Sequence, residues 1–311
     1  MAPSPAPAAP APARNVQSAE PSPSMLSQTD IEFLEGLISP PPPKHLDELP
    51  KDDRFFLAGI VKRLHARQLD VPVFPEAAVR LASMLRESEV PTSRYVALLN
   101  EDPALSVELL KVANSAFYGA SRKTTSLNDA ILRIGLARLQ SILLMVHLKA
   151  RVLKSGALQR PAELLLDLAL PMGFLASRYV LQSEGTGDVR FMRGMLMHVE
   201  HLVILGAITD ISKQHRSQVV PSVQAVHQAF DRFGPEIRQA IAAAWQLKDI
   251  LIDTKQEEAV AGEYTGLRSA VVCRWLDRPL PEVAGVDPSK LAETMADIPT
   301  RVRPSNEALS A

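Results

Sequence analysis

Several features that would narrow the reading at once are scarce in this chain. It has one cysteine in 311 residues, Cys273. That excludes an internal disulfide framework and suits a reducing cytoplasm. The residue sits in the apolar run Ala270-Val271-Val272-Cys273-Arg274-Trp275 and reads as a buried structural thiol, not a nucleophile. An excess of one charge is also missing. Lys and Arg number 34 against 35 Asp and Glu, a formal net charge of −1. No global field therefore favours nucleic acid or an acidic membrane. No run of 18 apolar residues occurs. The nearest, Leu164 to Leu175, contains Asp167 and Pro171 and reads as a core helix. The N-terminus alternates Ala and Pro without an apolar segment, so no secretory signal is expected. A Gly-rich phosphate loop, a Gly-x-Ser-x-Gly elbow and a repeat of 20–50 residues are all lacking.

Hydrophobic residues make up 46% of the chain, enough for a sizeable core. Twelve of the 25 prolines fall in the first 50 residues. Residues 1–24 hold only Arg14 and Glu20 as charges and only Met1 and Val16 as large aliphatics. Such a segment buries too little apolar surface to offset its ordering entropy, so residues 1–26 are expected to form a disordered Pro/Ala-rich tail. Residues 27–68 read as N-terminal helices around the stiff spacer Pro40-Pro41-Pro42-Pro43, with a helix over 29–37 capped by Thr29 or Asp30. Beyond Asp287 the periodicity fades. Residues 278–311 are expected to be a mostly flexible tail, with at most a turn or two at 290–295, and a chain trimmed to 27–285 to fold cooperatively.

From Pro50 onward the apolar spacing is helical. Phe56, Ile60, Val61 and Leu64 share a face, and Tyr95, Val96, Leu98 and Leu99 follow a Thr92 cap. Ser126 opens a helix through Ser-x-x-Asp, and Gly135 stops it. Further helices are predicted at 162–182, 188–212, 222–231, 235–252 and 257–276. The only strand-like pair is Val219-Val220, ended by Pro221. These signals predict an all-α, compact multi-helix bundle. The helix–turn–helix spacing around Gly135 does not read as a DNA-binding unit, because Leu136 to Leu148 is too apolar to lie in a groove.

The stretch from Asp102 to Gly119 carries the most information. Asp102 can cap a helix, and Pro103 fits its first position. Leu105, Leu109, Val112 and Ala113 follow at helical spacing. Asn114 and Ser115 break the run, Phe117 and Tyr118 bring two aromatics together to plug the core, and Gly119 permits a sharp exit. The signature Asp102, Pro103, Asn114, Ser115, Phe117, Tyr118, Gly119 resembles that of the HDOD domain, a regulatory relative of the HD metal phosphohydrolases. The likeness extends to Val71-Pro72-Val73-Phe74-Pro75 upstream and to Ser126–Gly135 downstream. It spans about residues 69–277, and it implies an HD-like helical bundle.

HD enzymes hold metal through separated histidines and an adjacent His-Asp pair, which activate water. The corresponding stretch here is Gly194-Met195-Leu196-Met197-His198-Val199-Glu200-His201. In either register the His-Asp pair is missing, and Glu200 replaces a Gly. The later histidines are missing too, since residues 249–265, after Trp245-Gln246-Leu247-Lys248, contain none. His198 and His201, i and i+3, are the only metal candidates. They read instead as a partly buried and a surface histidine, with Glu200 pointing elsewhere. No catalytic residue and no cofactor are expected.

The resemblance implies a non-catalytic, cytoplasmic, bacterial signal-transduction protein that acts by protein–protein interaction with a signalling component. Its rivals are a degenerate HD phosphohydrolase that retains nucleotide or metal binding, and a nucleic-acid-binding regulator. Direct nucleic-acid or membrane binding is not expected. The polar connection before Ser126 places Arg122 and Lys123 beside Tyr118, whose hydroxyl is expected to reach water, and these three are the candidate partner-binding residues.

Overall fold

The computed structural model describes residues 25–66, 71, 73, 75–87, 89–118, 122–152, 158–180, 185–214, 220–252 and 257–302. Of the tail expected over residues 1–26, residues 1–24 lie outside them, as do Pro72, Phe74 and Gly119 of the family motifs; Leu26 is not part of a free tail, since it packs against the core and its N–H donates to the Arg301 carbonyl at 3.0 Å. Among the described residues every regular element is helical, and the all-α expectation holds.

The first helix, α1 (Gln28–Ile38), starts one residue before the predicted span. Ser27 is its cap: the Ser27 hydroxyl accepts from the Asp30 N–H at 3.2 Å, and the Asp30 carboxylate accepts from the Ser27 N–H at 2.9 Å. This reciprocal box satisfies two orphan donors, more than Thr29 or Asp30 could do as caps. In α2 (Lys51–His65), Phe56, Leu57 and Ile60 are buried. Asp53 on α2 is buried as well, accepting from the Ser222 N–H at 2.8 Å and the Ser222 hydroxyl at 2.7 Å. Next come α3 (Glu76–Met84), α4 (Thr92–Asn100) and α5 (Pro103–Ala113). The predicted Thr92 cap is not used; Pro91 occupies that position without a side-chain bond.

α6 (Leu127–Ile134) and α7 (Leu136–Val152) meet at 109° across Gly135, whose φ of +85° only glycine adopts without strain. α8 (Gln159–Tyr179) runs through Pro171 and packs closely on α9 (Gly187–Met195). α10 (Val199–Gln214), α11 (Val223–Ala244), the short α12 (Lys248–Leu251), α13 (Glu257–Trp275) and α14 (Pro288–Ala296) follow. The run Gly187–Gln214 has the length and a mean hydropathy of 1.3 that could cross a membrane, yet 72% of that window is buried inside the fold.

The core forms two clusters. The larger joins α1, α2, the end of α7, α8, Met192 of α9, α10, α11, α13 and α14. The smaller joins α3 to α7 with Phe174, Phe191 and Met195. Helices α8 and α9 therefore serve both, one on each face.

Three predicted boundaries move. The helix expected over 188–212 is two, separated by the turn 196–198. The helices expected at 222–231 and 235–252 are one continuous α11 followed by α12, since α11 continues through Pro235. Phe230 and Phe233 before the proline, and Ile237 and Ile241 after it, all face the core. That burial outweighs one missing hydrogen bond. The third change is the C-terminal end. Asp287 caps α14, and Leu291, Met295 and Ile298 are buried. Arg301 then donates its backbone N–H to Trp275, lies 4.3 Å over that indole and pairs with Asp167 at 2.6 Å. A mostly flexible end is therefore not what residues 278–302 form, and a cut at 285 would remove part of the core. Sequence periodicity missed this because one apolar stripe on a nine-residue helix is a short signal.

Candidate functional site

The signature stretch builds one local structure. The Asp102 carboxylate accepts from the N–H groups of Ala104 at 2.9 Å and Leu105 at 3.2 Å, as its sequence predicts. At the other end Asn114 acts as a clamp. Its amide nitrogen donates to the Thr124 carbonyl at 2.9 Å, and its oxygen accepts from the Thr124 N–H at 2.8 Å. Arg133 adds a bond from Nη1 to that oxygen at 3.3 Å and one from Nη2 to the Arg122 carbonyl at 3.1 Å. Asn114 thus closes the loop to Thr124 with a donor and an acceptor at once, which an aspartate could not supply. Ser115 donates to the Val112 carbonyl at 2.7 Å.

The aromatic pair does go inward. Phe117 stacks on Phe174 at 5.0 Å and touches both core clusters, and Tyr118 meets the same ring edge-on at 4.8 Å. The Tyr118 hydroxyl does not reach water. It is buried, and among the described residues no hydrogen-bond partner is placed for it. Burial pushes its pKa up to about 12. The cause is the orientation of the ring, which points over Phe174 toward Arg138 instead of along the polar loop. Arg122 and Lys123 are exposed, as expected.

The second region is the stretch aligned with the HD pair. His198 is buried in the turn before α10, and its Nδ1 lies 3.0 Å from Nδ1 of His201. His201 is not a surface residue: its ring stacks on Phe230 at 4.1 Å. Glu200 does not point elsewhere. Its Oε1 accepts from Arg238 Nη2 at 2.6 Å and lies 3.5 Å from His201 Nε2. Adjacent helical residues diverge, but a long carboxylate can fold back. Arg238, on α11, provides the reason to do so and also donates to the Met197 carbonyl. Beside this cluster lies a cavity of about 740 Å³, lined by Met197, Phe230, Pro235 and Tyr264 among others.

Burial sets the electrostatics. It holds His198 and His201 well below the ordinary imidazole range, and the positive charges of Arg238 and Arg268 add to the effect. Both rings are therefore neutral near pH 7. Burial raises the Glu200 carboxyl against the opposing pull of Arg238, and it lowers Arg268 to about 10. These residues do not fit a metal ion. The imidazoles face each other, the Glu200 oxygen already accepts from a guanidinium, and two arginine charges act on the site. Among the described residues, no three His, Cys, Asp or Glu side chains are grouped to hold one. Arg238 and Arg268 carried no sequence signal. They are lone arginines on amphipathic helices, placed by tertiary packing.

The described residues form an all-helical bundle of HD-like type. The sequence model of the HDOD domain matches residues 71–259, and the chain belongs to that family. An uncharacterized protein of Treponema pallidum (strain Nichols) is 28% identical over 197 residues, covering 60% of this chain and 37% of that protein. The chain thus spans little more than a third of that relative's length. A candidate metal-dependent phosphohydrolase from Shewanella amazonensis SB2B superposes with a TM-score of 0.55 at 18% identity, covering 80% of this chain and 98% of that one. A candidate signal transduction protein from Marinobacter aquaeolei VT8 gives a TM-score of 0.41 at 17% identity over 84% of this chain and 60% of the other. At these identities the Shewanella match speaks for the fold alone.

Proposed function

We propose that this chain is a non-catalytic regulatory protein of the bacterial cytoplasm that works by binding a protein partner, a signalling component, through an HDOD unit over residues 69–277. The observation that carries this reading is the Glu200–Arg238 ion pair at 2.6 Å, in the stretch aligned with the HD motif and beside the positions where that resemblance would place the His-Asp pair. A guanidinium supplies a fixed positive charge but no open coordination position and no bound water to ionise. The exposed Arg122 and Lys123 are the proposed docking residues; Tyr118 leaves that set because its hydroxyl is buried. Nucleic-acid binding is disfavoured by α7, whose Leu139, Ile142, Leu143, Leu144 and Leu148 are buried.

Two measurements test the reading. Purified protein with added Mn²⁺, Mg²⁺ or Fe²⁺ should not hydrolyse nucleotides or a generic phosphodiester, and turnover abolished by His198→Ala would overturn the claim. Affinity capture from the native cell should lose its partner when Arg122→Glu and Lys123→Glu are combined in a folded protein. A second reading, retained nucleotide binding without turnover, is favoured by the cavity of about 740 Å³ beside Glu200. Nucleotide titration of an Arg238→Ala variant separates the two.

A further inference from the structure

A different cavity, of about 470 Å³, opens beside the signature loop. Its walls come from four places: Phe117 and Tyr118, Arg133 on α6, Arg138 on α7, and Phe174 with Arg178 on α8, closed by Thr294 and Asp297 of α14 and its end. Three guanidinium groups thus meet around one hollow. Arg138 pairs with Asp188 through Nε at 3.0 Å and lies 4.9 Å over the Phe191 ring, which fixes its plane. Among the described residues Arg133 and Arg178 have no carboxylate within ion-pair distance. Arg133 uses both Nη atoms on the carbonyls of Ala113 and Arg122 and on Asn114, so it contributes charge more than hydrogen bonds. Arg178 is exposed at the rim.

The Tyr118 hydroxyl adds an independent observation. It is buried beside Arg138, and among the described residues no acceptor is placed for it. A buried O–H without an acceptor is costly, and a neighbouring guanidinium, which only donates, cannot serve it. At this end of the cavity Tyr118, Arg133, Arg138 and Arg178 all bear O–H or N–H groups, while Asp188 already accepts from Arg138 Nε and Asp297 lines the α14 side. An acceptor with several oxygens and negative charge would meet the donors that remain.

We propose that this cavity binds the phosphate group of a small organic phosphate, with Arg138 donating from the inner wall, Arg178 from the rim, Arg133 supplying further positive charge, and the Tyr118 hydroxyl, closed to water in the free protein, brought into contact by a small shift of its ring when the phosphate enters. Arginine forks and hydroxyls match phosphate oxygens, and several donors from different directions suit a tetrahedral anion better than a planar carboxylate. The volume fits a small molecule. Asp297 disfavours a larger anion at the α14 side. A bound phosphate would bridge the signature loop and α14, two segments that share this cavity and lie far apart in sequence.

Titration calorimetry and thermal melts of the full chain test this with inorganic phosphate, phenyl phosphate, phenol and acetate at constant ionic strength. Inorganic phosphate and phenyl phosphate should bind and raise the melting temperature; phenol and acetate should do neither. Tyr118→Phe keeps the ring contact with Phe174 and removes one oxygen, and it should weaken phenyl phosphate about tenfold, the value of one hydrogen bond to a charged group. Arg178→Ala, at an exposed position, should fold normally and weaken binding by a similar factor or more. Binding of phenol or acetate as tight as phenyl phosphate, no binding of either phosphate at millimolar concentration, or full affinity in both variants would overturn the proposal. None of these readouts involves the Glu200 cavity.

Discussion

Replacing Gly194 by alanine tests how α8 and α9 are held together. A Cβ at 194 would lie 2.4 Å from the Met172 carbonyl oxygen, 2.7 Å from its carbon and 2.9 Å from the Ala176 Cβ. Two of those atoms are backbone, so no rotamer change can relieve the contact. Carbon and oxygen need about 3.3 Å, and the helices would have to part by about 1 Å. The fully buried Phe191 and the nearly buried Met195 sit on the same short helix and would move with it. Overpacking of this kind costs roughly 1–3 kcal/mol, and a clash with main chain belongs at the upper end. The better helix propensity of alanine returns about 1 kcal/mol. The net expectation is a loss of about 2 kcal/mol, a fall in Tm of about 4–8 °C for a domain of this size.

The control is Gly262→Ala on α13, where nothing among the described residues lies within 4 Å of the added carbon. There only propensity acts, and a gain of about 0.5–1 kcal/mol is expected. Urea unfolding followed by far-UV circular dichroism reads both. Opposite signs are the prediction. A Gly194→Ala protein as stable as the parent would refute the close crossing. Gly194 also opens the stretch aligned with the HD motif, so its part in that motif is helix approach rather than chemistry.

Four further outcomes are expected. Met295→Ala should destabilise by roughly 2–5 kcal/mol, because that side chain is 1% exposed; a change within 0.5 kcal/mol would mean that α14 is not docked. Arg238→Met should cost about 3–5 kcal/mol by stranding Glu200, and adding Glu200→Gln should recover most of it; a double variant no better than the single one refutes the pairing. Asn114→Asp removes the donor to Thr124 and should cost about 1–3 kcal/mol, read by the same unfolding curves. His227, held down from 6.5 to about 4 chiefly by burial, takes up a proton more readily when unfolded. Its contribution is therefore complete above pH 6.5 and is lost as pH falls toward 4. Between pH 7 and pH 5 this amounts to about 2 kcal/mol, and His227→Gln, whose amide can still donate to the Phe33 carbonyl, should remove that part of the slope.

Much of the fold was legible because the helices bury long stripes. Asp102-Pro103 marks the start of α5 by a local rule, and Ser126 and Gly135 bracket α6 by two more. Local rules failed where a distant group decided. Pro235 reads as a boundary until Phe233 and Ile237 are seen to face one core. Tyr118 reads as a loop tyrosine until Phe174, from α8, takes its ring. Asn114 reads as a helix breaker until Thr124 folds back on its amide. The missing His-Asp pair was legible; what fills its place was not, because Arg238 is 38 residues away from Glu200.

That filling follows from electrostatics. A carboxylate 4% exposed between neutral imidazoles cannot stay ionised without a cation close by. A metal ion and a guanidinium are alternative solutions, and each excludes the other by repulsion. Arg238 also bonds the Met197 carbonyl, so one side chain balances the charge and ties the turn between α9 and α10 to α11. In that role it cross-links two segments, as an ion with ligands on both would. The two solutions are not chemically equivalent. An ion can exchange water and lower its pKa, whereas an arginine holds its five donors in a fixed plane and keeps its proton. Arg238 therefore balances the Glu200 charge and holds the turn to α11 without offering an exchangeable position, and the proposed non-catalytic role rests on that difference.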